Sequence, residues 1–258
     1  MSRITLLTDF GTRDGYVGAM KGVISSIFPG VVVDDVSHDV APGDILGAAL
    51  ALSRYWRLYP PGTVHLAVVD PGVGTERAAL AAEADRRFFV APDNGVLSRV
   101  RDACPEIRFA RIENPLFMSP NPSRTFHGRD VFAPVAAHLA LGAHLSRLGP
   151  PPAATVRLEE PSASWADAAL VGEVVSLDRF GNLVTNLPGT SVGKDYEVEI
   201  GGKTIPVVGT YGEVPADSVG AVVNSDGRVE VAARERSAAD LLSAGVGTRV
   251  SLRKTFPS

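Results

Sequence analysis

Cysteine is nearly absent from this sequence, because the 258 residues include only one, Cys104. A single cysteine excludes an internal disulfide framework and any metal site made of cysteines alone. Long apolar runs are missing too. No stretch approaches the ~20 apolar residues of a membrane-spanning helix, and the apolar run near the N-terminus is too short for a signal peptide. We therefore expect a soluble, unprocessed protein of the reducing cytoplasm.

The sequence also lacks an excess of positive charge. It has 25 Lys and Arg against 29 Asp and Glu, a formal net charge of −4. It contains no basic stripe with interleaved aromatic residues that would attract phosphate backbones. We therefore expect neither nucleic acid nor a membrane as a partner. The remaining composition, 45% hydrophobic and 21% charged, is that of a globular chain with one large domain or two unequal ones.

Short apolar runs alternate with helical patterns in the first part of the chain. Four runs, at residues 4–7, 31–33, 64–69 and 88–91, have the length typical of strands buried on both faces. Apolar residues recur at helical spacing between the first and second runs and between the second and third, and another helix is predicted over residues 131–148. This alternation predicts an α/β domain with a mainly parallel sheet over residues 1–150.

The pattern changes after this region. Residues 151–168 are rich in proline and weakly patterned, which predicts a linker. Beyond them, short apolar runs are separated by Gly, Asp and Asn. We expect a smaller all-β domain over residues 169–258, a sandwich or a barrel.

Polar side chains follow three of the predicted strands directly. Asp9 follows the first strand, Asp70 the third, and Asp93 and Asn94 the fourth. Ligands of open α/β sheets bind at the carboxyl ends of the strands, so these side chains would share one edge if the strands are neighbours. Asp and Asn also begin turns in the absence of any ligand, and this alternative stays open for each residue taken singly.

Other common signatures of functional sites are absent from the sequence. The five histidines show no metal-ligand spacing, and there is no HExxH or CxxC pattern. Gly72 and Gly74 do not complete a dinucleotide fingerprint, and no Walker lysine follows them. We therefore expect no structural zinc, metal or nucleotide cofactor. His127, in a polar segment before a helix, has the alternative role of a helix cap.

Six segments, taken together and in order, resemble the S-adenosylmethionine hydroxide adenosyltransferase family, also known as DUF62-type hydrolases. Its superfamily includes the fluorinase and the chlorinase. The segments run through nearly the whole chain, which makes the resemblance far more specific than any one of them. They are TDFGxxDxYV at residues 8–17, VDPGVGTxR at 69–77, APDNG at 91–95, FHGRDVF at 126–132, DxFGNxxTN at 178–186 and NSxG at 224–227.

The resemblance implies a fold, an assembly and a reaction. The fold is an N-terminal α/β domain followed by a C-terminal β-barrel domain. The assembly is a homotrimer, with active sites between the N-terminal domain of one subunit and the C-terminal domain of its neighbour. The reaction is the hydrolysis of S-adenosyl-L-methionine to adenosine and L-methionine, by nucleophilic attack of water or hydroxide at C5′ and without a cofactor.

The resemblance also implies roles for individual residues. Asp70, Arg77 and His127 would handle the attacking water. Asp9 would hold the ribose hydroxyls of the substrate, and Asp14 and Asp178 would face the ammonium group of its methionine part. Ser225 would face the methionine carboxylate, Asn182 would bind the adenine edge, and Phe180 would line the adenine pocket. The whole implied substrate-binding set is Asp9, Phe10, Asp14, Asn94, Asp178, Phe180, Asn182 and Ser225.

Three alternatives to a hydrolase remain. The halogenases of the superfamily carry an uncharged residue in place of Asp70, and a carboxylate there would repel halide and accept a hydrogen bond from water. A metal-dependent phosphohydrolase would use clustered carboxylates such as Asp9, Asp14, Asp70 and Asp93 to bind Mg²⁺. A protein that only binds S-adenosylmethionine or adenosine would not need the three water-handling residues, so their joint presence favours an enzyme.

Overall fold

The computed structural model describes residues 2–193 and 195–255. Contacts between residues divide the chain into two compact units, Met1–Leu158 and Glu159–Ser258, so the division falls inside the proline-rich segment. The hydrophobic core residues of each unit belong to that unit alone. Among the described residues, no helix has the length and apolar character needed to cross a lipid bilayer.

The first unit is built on a six-stranded sheet in the order β2-β1-β3-β5-β4-β6. Strands β2, β1, β3 and β5 are parallel neighbours, whereas β4 and β6 pair antiparallel. The strands are β1 (Arg3–Thr8), β2 (Val32–Ser37), β3 (Val64–Val68), β4 (Ala79–Ala84), β5 (Arg87–Pro92) and β6 (Arg108–Arg111).

Four α-helices accompany this sheet, and a π-helical turn at Gly128–Phe132 leads into the last of them. Short 3₁₀ turns lie at Trp56–Leu58, Pro115–Phe117 and Leu145–Arg147. The helices are α1 (Tyr16–Ile27), α2 (Ile45–Tyr55), α3 (Ser98–Ala103) and α4 (Ala133–Ala140).

The helices cover both faces of the sheet, because successive side chains of a strand point to opposite faces. Ile4 and Leu6 of β1 belong to a core shared with α1 and α4. Leu7 of the same strand belongs to a second core shared with α2 and α3. This arrangement leaves the carboxyl edge of the parallel strands open for polar residues.

The helix predicted over residues 131–148 is shorter in the structure. It ends at Ala140, and the chain turns at Gly142, whose φ of +96° is left-handed and suits glycine. The apolar pattern that continues past Gly142 belongs instead to a separate 3₁₀ turn at Leu145–Arg147.

In the described part of the second unit there are eight strands, one short α-helix, α5 (Ala238–Leu242), and 3₁₀ turns at Gly189–Ser191 and Tyr211–Glu213. The paired strands are antiparallel in the order β11-β10-β14-β8-β9-β13-β12, and β7 pairs with β8. The strands are β7 (Ser164–Ala166), β8 (Ala169–Leu177), β9 (Leu183–Pro188), β10 (Tyr196–Ile200), β11 (Lys203–Pro206), β12 (Val219–Val223), β13 (Arg228–Ala233) and β14 (Arg249–Lys254).

The two outer strands of this sheet approach each other. Just after β11, the Val208 N–H donates to the Ala221 carbonyl in β12 at 2.8 Å. This bond nearly closes the sheet into a barrel around an apolar core that includes Val174, Val198 and Val231. The predicted fold class, a mainly parallel α/β domain with a smaller barrel-like all-β domain, is confirmed.

Candidate functional site

The carboxyl edge of the parallel strands brings Asp9 and Asp70 onto neighbouring strand ends. Thr8 of β1 pairs in register with Val68 of β3, and each aspartate follows its strand within two residues. Strand β5 lies on the other side of β3. The carboxyl ends of β1, β3 and β5 therefore lie side by side along one edge of the sheet, as the sequence predicts.

Asp70 is held by Arg77 through two hydrogen bonds. Arg77 Nε donates to Asp70 Oδ1 at 2.9 Å, and Arg77 Nη2 donates to Asp70 Oδ2. The Asp70 side chain is only 4% exposed. A bidentate guanidinium fixes the plane of the carboxylate as well as its charge. Each carboxylate oxygen has further lone-pair capacity, so Asp70 can still accept a hydrogen bond from a water molecule.

His127 is the third member of this cluster. Its Nδ1 lies 2.9 Å from Arg77 Nη2, and a guanidinium can only donate, so Nδ1 is the acceptor. The proton of the neutral imidazole is therefore assigned to Nε2. Burial and the neighbouring Arg77 charge hold the pKa of His127 below its ordinary value. His127 is thus a neutral hydrogen-bond donor at physiological pH.

Two local structures bring these residues together. After β3, a tight turn in which the Val73 N–H bonds to the Asp70 carbonyl folds the chain back towards Arg77. The guanidinium carbon of Arg77 lies 5.1 Å from the ring centre of Phe132, a cation–π contact with the π-helical turn. His127 immediately precedes that turn.

The cluster opens into a cavity of about 140 Å³ in the first unit. Three of its aromatic side chains pack against one another, with ring centres 5.1–6.0 Å apart. These rings make a largely apolar wall around the carboxylate and the imidazole. The lining residues are Phe10, Tyr16, Val68, Asp70, Val73, Thr125, Phe126, His127 and Gly128.

The other residues expected in the first unit have different surroundings. Asp9 Oδ2 accepts the Gly43 N–H at 2.9 Å, and Asp9 is half-buried. Asp14 is exposed in the turn before α1. Asn94 links the ends of β5 and β3, because its Nδ2 donates to the Val69 carbonyl at 2.8 Å. Its Oδ1 accepts the Val96 N–H within the same turn. The predicted roles of these residues towards substrate stay predictions.

A second cavity, of about 670 Å³, lies in the second unit. Asp178 directly follows β8, and its Oδ1 accepts the N–H groups of Phe180 and Asn182 at 2.8 and 2.9 Å. Its Oδ2 accepts the Asn182 side-chain amide at 2.9 Å. Phe180 is 75% exposed. The lining residues are Asp178, Phe180, Asn182, Tyr211, Ala233, Glu235, Arg236 and Ser237.

Tyr211 and Glu230 belong to this region and are not in the predicted set. The Tyr211 hydroxyl donates to Glu230 Oε1 at 2.9 Å, and the Asn224 side-chain amide donates to Glu230 Oε2 at 2.9 Å. Burial and Glu230 raise the pKa of Tyr211 to about 12. Asn224 begins the turn that carries the exposed Ser225. Glu230 therefore connects a cavity wall to the Ser225 turn.

The described residues contain no group of three or more His, Cys, Asp or Glu side chains arranged to hold a metal ion. Asp70 is bound by Arg77, and Asp93 accepts the Val156 N–H at 2.8 Å. Three of the four carboxylates considered for a Mg²⁺ site, Asp9, Asp70 and Asp93, therefore have other partners. This geometry disfavours the phosphohydrolase alternative.

A carboxylate held by a guanidinium, next to a neutral imidazole at the strand ends of an α/β unit, is an arrangement typical of an enzyme active site. The family comparison makes this more specific. The SAM hydroxide adenosyltransferase N-terminal domain matches residues 4–149, and the C-terminal domain of the same family matches residues 172–251. The chain belongs to the SAM hydroxide adenosyltransferase family.

Several known proteins are similar to the chain over nearly its whole length. The (R)-S-adenosyl-L-methionine hydrolase of Thermus thermophilus is 41% identical, covering 98% of this chain and 100% of the relative. The hydrolase of the same name from Salinispora tropica is 39% identical, covering 96% of each chain. The crystal structure of an uncharacterized conserved protein from Thermotoga maritima has a TM-score of 0.91 and 37% identity, covering 97% of this chain and 100% of that one.

A more distant relative has a different activity in its name. The fluorinase of an Actinoplanes species is 30% identical, covering 74% of this chain and 73% of the relative. Similarity to the Thermus and Salinispora hydrolases is therefore higher and extends further along the chain.

Proposed function

We propose that this protein hydrolyses (R)-S-adenosyl-L-methionine to adenosine and L-methionine. The observation that carries this proposal is the Asp70–Arg77–His127 cluster, a carboxylate with spare acceptor capacity beside an imidazole Nε2–H, both facing one cavity. Relatives named as hydrolases of this substrate support it, and their names specify the (R) configuration at sulfur.

The reaction is a displacement at C5′ of the substrate. The water oxygen forms a bond to C5′, the C5′–S bond breaks with its electron pair going to sulfur, and one water proton is released. Methionine leaves as a neutral thioether, so no general acid is needed at sulfur. The protein must hold water opposite the sulfur and accept the proton, and alignment of this kind accounts for several kcal/mol of a barrier.

The hydrogen bonds support different roles for the three residues in this proposal. His127 Nδ1 already accepts from Arg77, so this ring has no free basic nitrogen and acts through Nε2–H, which donates to the water oxygen. Asp70 accepts a water proton. Water bonded to carbon is a strong acid, so a carboxylate is a sufficient base once the C–O bond forms. Arg77 keeps both partners in place.

The same geometry distinguishes hydrolysis from halogenation. The reactive end of the cavity offers the acceptor atoms of Asp70, and water has a proton to donate to them. A halide ion has none, and the negative charge of Asp70 opposes its entry. This contrast favours the hydrolase over the halogenase relatives.

We further propose that the protein is a cytoplasmic homotrimer in which residues from both units of neighbouring subunits complete each substrate site. Exposed aromatic side chains near the two cavities support this assembly, because Phe180 is 75%, Tyr211 51% and Tyr16 50% exposed in the single chain. Large exposed aromatic residues are typical of surfaces that bind a ligand or another chain. Light scattering coupled to size-exclusion chromatography would measure the mass directly.

The hydrolase proposal is tested by incubating the purified protein with S-adenosylmethionine in EDTA and ¹⁸O-labelled water. We expect adenosine labelled in its 5′-hydroxyl, together with methionine. Activity lost in EDTA and restored by Mg²⁺ would support the phosphohydrolase instead. Binding without turnover would indicate a sequestering protein, and 5′-chloro-5′-deoxyadenosine as the main product in chloride would indicate a halogenase.

A further inference from the structure

The turn that carries Asp9 and Phe10 is held at both ends by a single residue, His38. The carbonyl oxygen of His38 accepts the Gly11 N–H at 2.8 Å, and its Nδ1 lies 2.8 Å from the hydroxyl of Thr8. The His38 side chain is 3% exposed. One buried residue therefore contacts the first and the last residue of the four-residue turn.

Asp35 fixes the orientation of the imidazole. Its Oδ1 lies 3.0 Å from His38 Nε2. Burial alone would raise the pKa of Asp35, but hydrogen bonds from Lys21 and His38 bring it below its ordinary value, so the carboxylate is charged and accepts. In the neutral ring Nε2 then carries the proton, and Nδ1 accepts from the Thr8 hydroxyl.

The chain of hydrogen bonds ends in the turn itself. Thr8 Oγ1, which lies 2.8 Å from His38 Nδ1, also accepts the Phe10 N–H at 3.3 Å. The loop that follows His38 makes one more contact, from the Gly43 N–H to Asp9 Oδ2 at 2.9 Å. The segment after β2 therefore fixes both the backbone of the turn and the carboxylate of Asp9.

We propose that His38 is a positioning residue that holds Asp9 and Phe10 in the geometry required to bind the ribose of the substrate. This inference rests on the proposed function. His38 does not touch the Asp70–Arg77–His127 cluster through any of these contacts, so its effect falls on binding and leaves the bond-breaking step largely unchanged.

The test uses four single variants of the full-length chain. His38→Phe fills the space without a ring nitrogen, and Thr8→Val removes the hydroxyl at nearly constant volume. Thr8→Ser keeps the hydroxyl and is the conservative rescue. Ile24→Val, in the core between α1 and the sheet, is the control for lost stability without a lost hydrogen bond. Adenosine affinity is measured by calorimetry. The values of kcat and KM are measured with S-adenosylmethionine as the substrate.

We expect His38→Phe and Thr8→Val to weaken adenosine binding and raise KM by roughly 10- to 100-fold, with kcat changed less than about threefold. Thr8→Ser and Ile24→Val should bind adenosine like the wild type. Unchanged adenosine affinity in His38→Phe or Thr8→Val, or a lower kcat at constant KM, would overturn the proposal. If His38→Phe does not fold, Thr8→Val against Thr8→Ser decides it.

Calorimetry with adenosine needs no turnover, so the two proposals can fail separately. A wild type that binds adenosine but releases none from S-adenosylmethionine would remove the hydrolase function. A wild type that hydrolyses the substrate, with variants that bind adenosine normally, would remove only the role of His38.

Discussion

Gly74 lies so close to Arg124 that a β-carbon added to Gly74 would stand 2.3 Å from the Arg124 carbonyl oxygen. Gly74 belongs to the turn between Asp70 and Arg77, and Arg124 belongs to the segment that leads to His127. The close approach therefore joins the two loops that form the Asp70–Arg77–His127 cluster. The φ of Gly74, +77°, independently disfavours any residue with a side chain.

Gly74→Ala should lower the free energy of unfolding by about 1–3 kcal/mol, through backbone strain and the contact with Arg124. Turnover should also fall, because the two loops must separate. Gly22→Ala is the matched control: Gly22 is exposed in α1 with open space around it, and alanine there should add about 0.5–1 kcal/mol. Urea unfolding measures both, and a Gly74→Ala protein as stable and active as the wild type would contradict this account.

Asp70→Asn tests the proton acceptor. The amide keeps the shape of the side chain but loses the charge, so turnover should fall by roughly 10²- to 10⁴-fold while the affinity for S-adenosylmethionine changes little. Single-turnover hydrolysis and calorimetry give the two quantities. Asp93→Asn is the control, since Asp93 is also at a strand end but bonds to the Val156 N–H. Near wild-type turnover in Asp70→Asn would mean that Asp70 is not the proton acceptor and only begins its turn.

The pH dependence of kcat/KM should contain an acidic limb from His127. Burial and Arg77 hold the pKa of His127 below its ordinary value of 6.5, so activity should be constant through neutral pH and fall only below 6.5. Protonated Nδ1 would face the Arg77 guanidinium and lose its hydrogen bond. In His127→Gln, any residual activity should lack this limb. A midpoint above 6.5 in the wild type would show that His127 is not neutral as argued.

Stability should depend on pH through His65, a buried residue of β3. Its Nδ1 lies 2.9 Å from the Thr5 hydroxyl, and burial together with the Arg87 charge lowers the pKa of His65 to about 3. The unfolded chain takes up this proton near 6.5, whereas the folded protein does not. The free energy of unfolding should therefore fall as pH drops below 6.5, by up to about 1.4 kcal/mol per pH unit.

His65→Phe isolates this contribution from those of other histidines. The variant should be less stable than the wild type at pH 7, because the Thr5 hydroxyl loses its 2.9 Å contact with His65 and keeps only the 3.5 Å contact with the Tyr55 hydroxyl. It should lose less stability than the wild type between pH 6.5 and 4.5, so the difference between them should shrink. Urea midpoints at the two pH values measure this, and parallel slopes for both proteins would exclude His65 as the titrating group.

The parallel strands could be predicted because β1, β3 and β5 are continuous apolar runs that end in polar residues. Strand β4, with the sequence ALAAEA, was not predicted, because alanine is a poor strand former and the core that buries this strand includes residues distant in sequence, such as Leu7 and Trp56. The end of α4 was predicted too late, since the apolar pattern continues past Gly142 into a 3₁₀ turn.

The site was only partly accessible from the sequence. Strand ends indicate Asp9 and Asp70, but the contact of Arg77 with His127 joins residues 50 positions apart and depends on the fold. Glu230 was missed for another reason. Glu230 lies between Val229 and Val231 in β13, and this alternation indicates a solvent-facing side chain. In the structure Glu230 is only 4% exposed, and its carboxylate accepts hydrogen bonds from Tyr211 and Asn224.

The position of His127 depends on the number of residues in the π-helical turn at Gly128–Phe132. The Ala133 N–H bonds to the Gly128 carbonyl five residues earlier, one residue more than an α-helix contains. If one residue of the turn were deleted, an α-helix could run straight through, and residues before the deletion would rotate by about 100° around the axis. His127 would swing away from Arg77 although every residue of the cluster was still encoded. A relative with a one-residue gap between His127 and Ala133 would therefore keep the three residue types and lose the geometry that unites them.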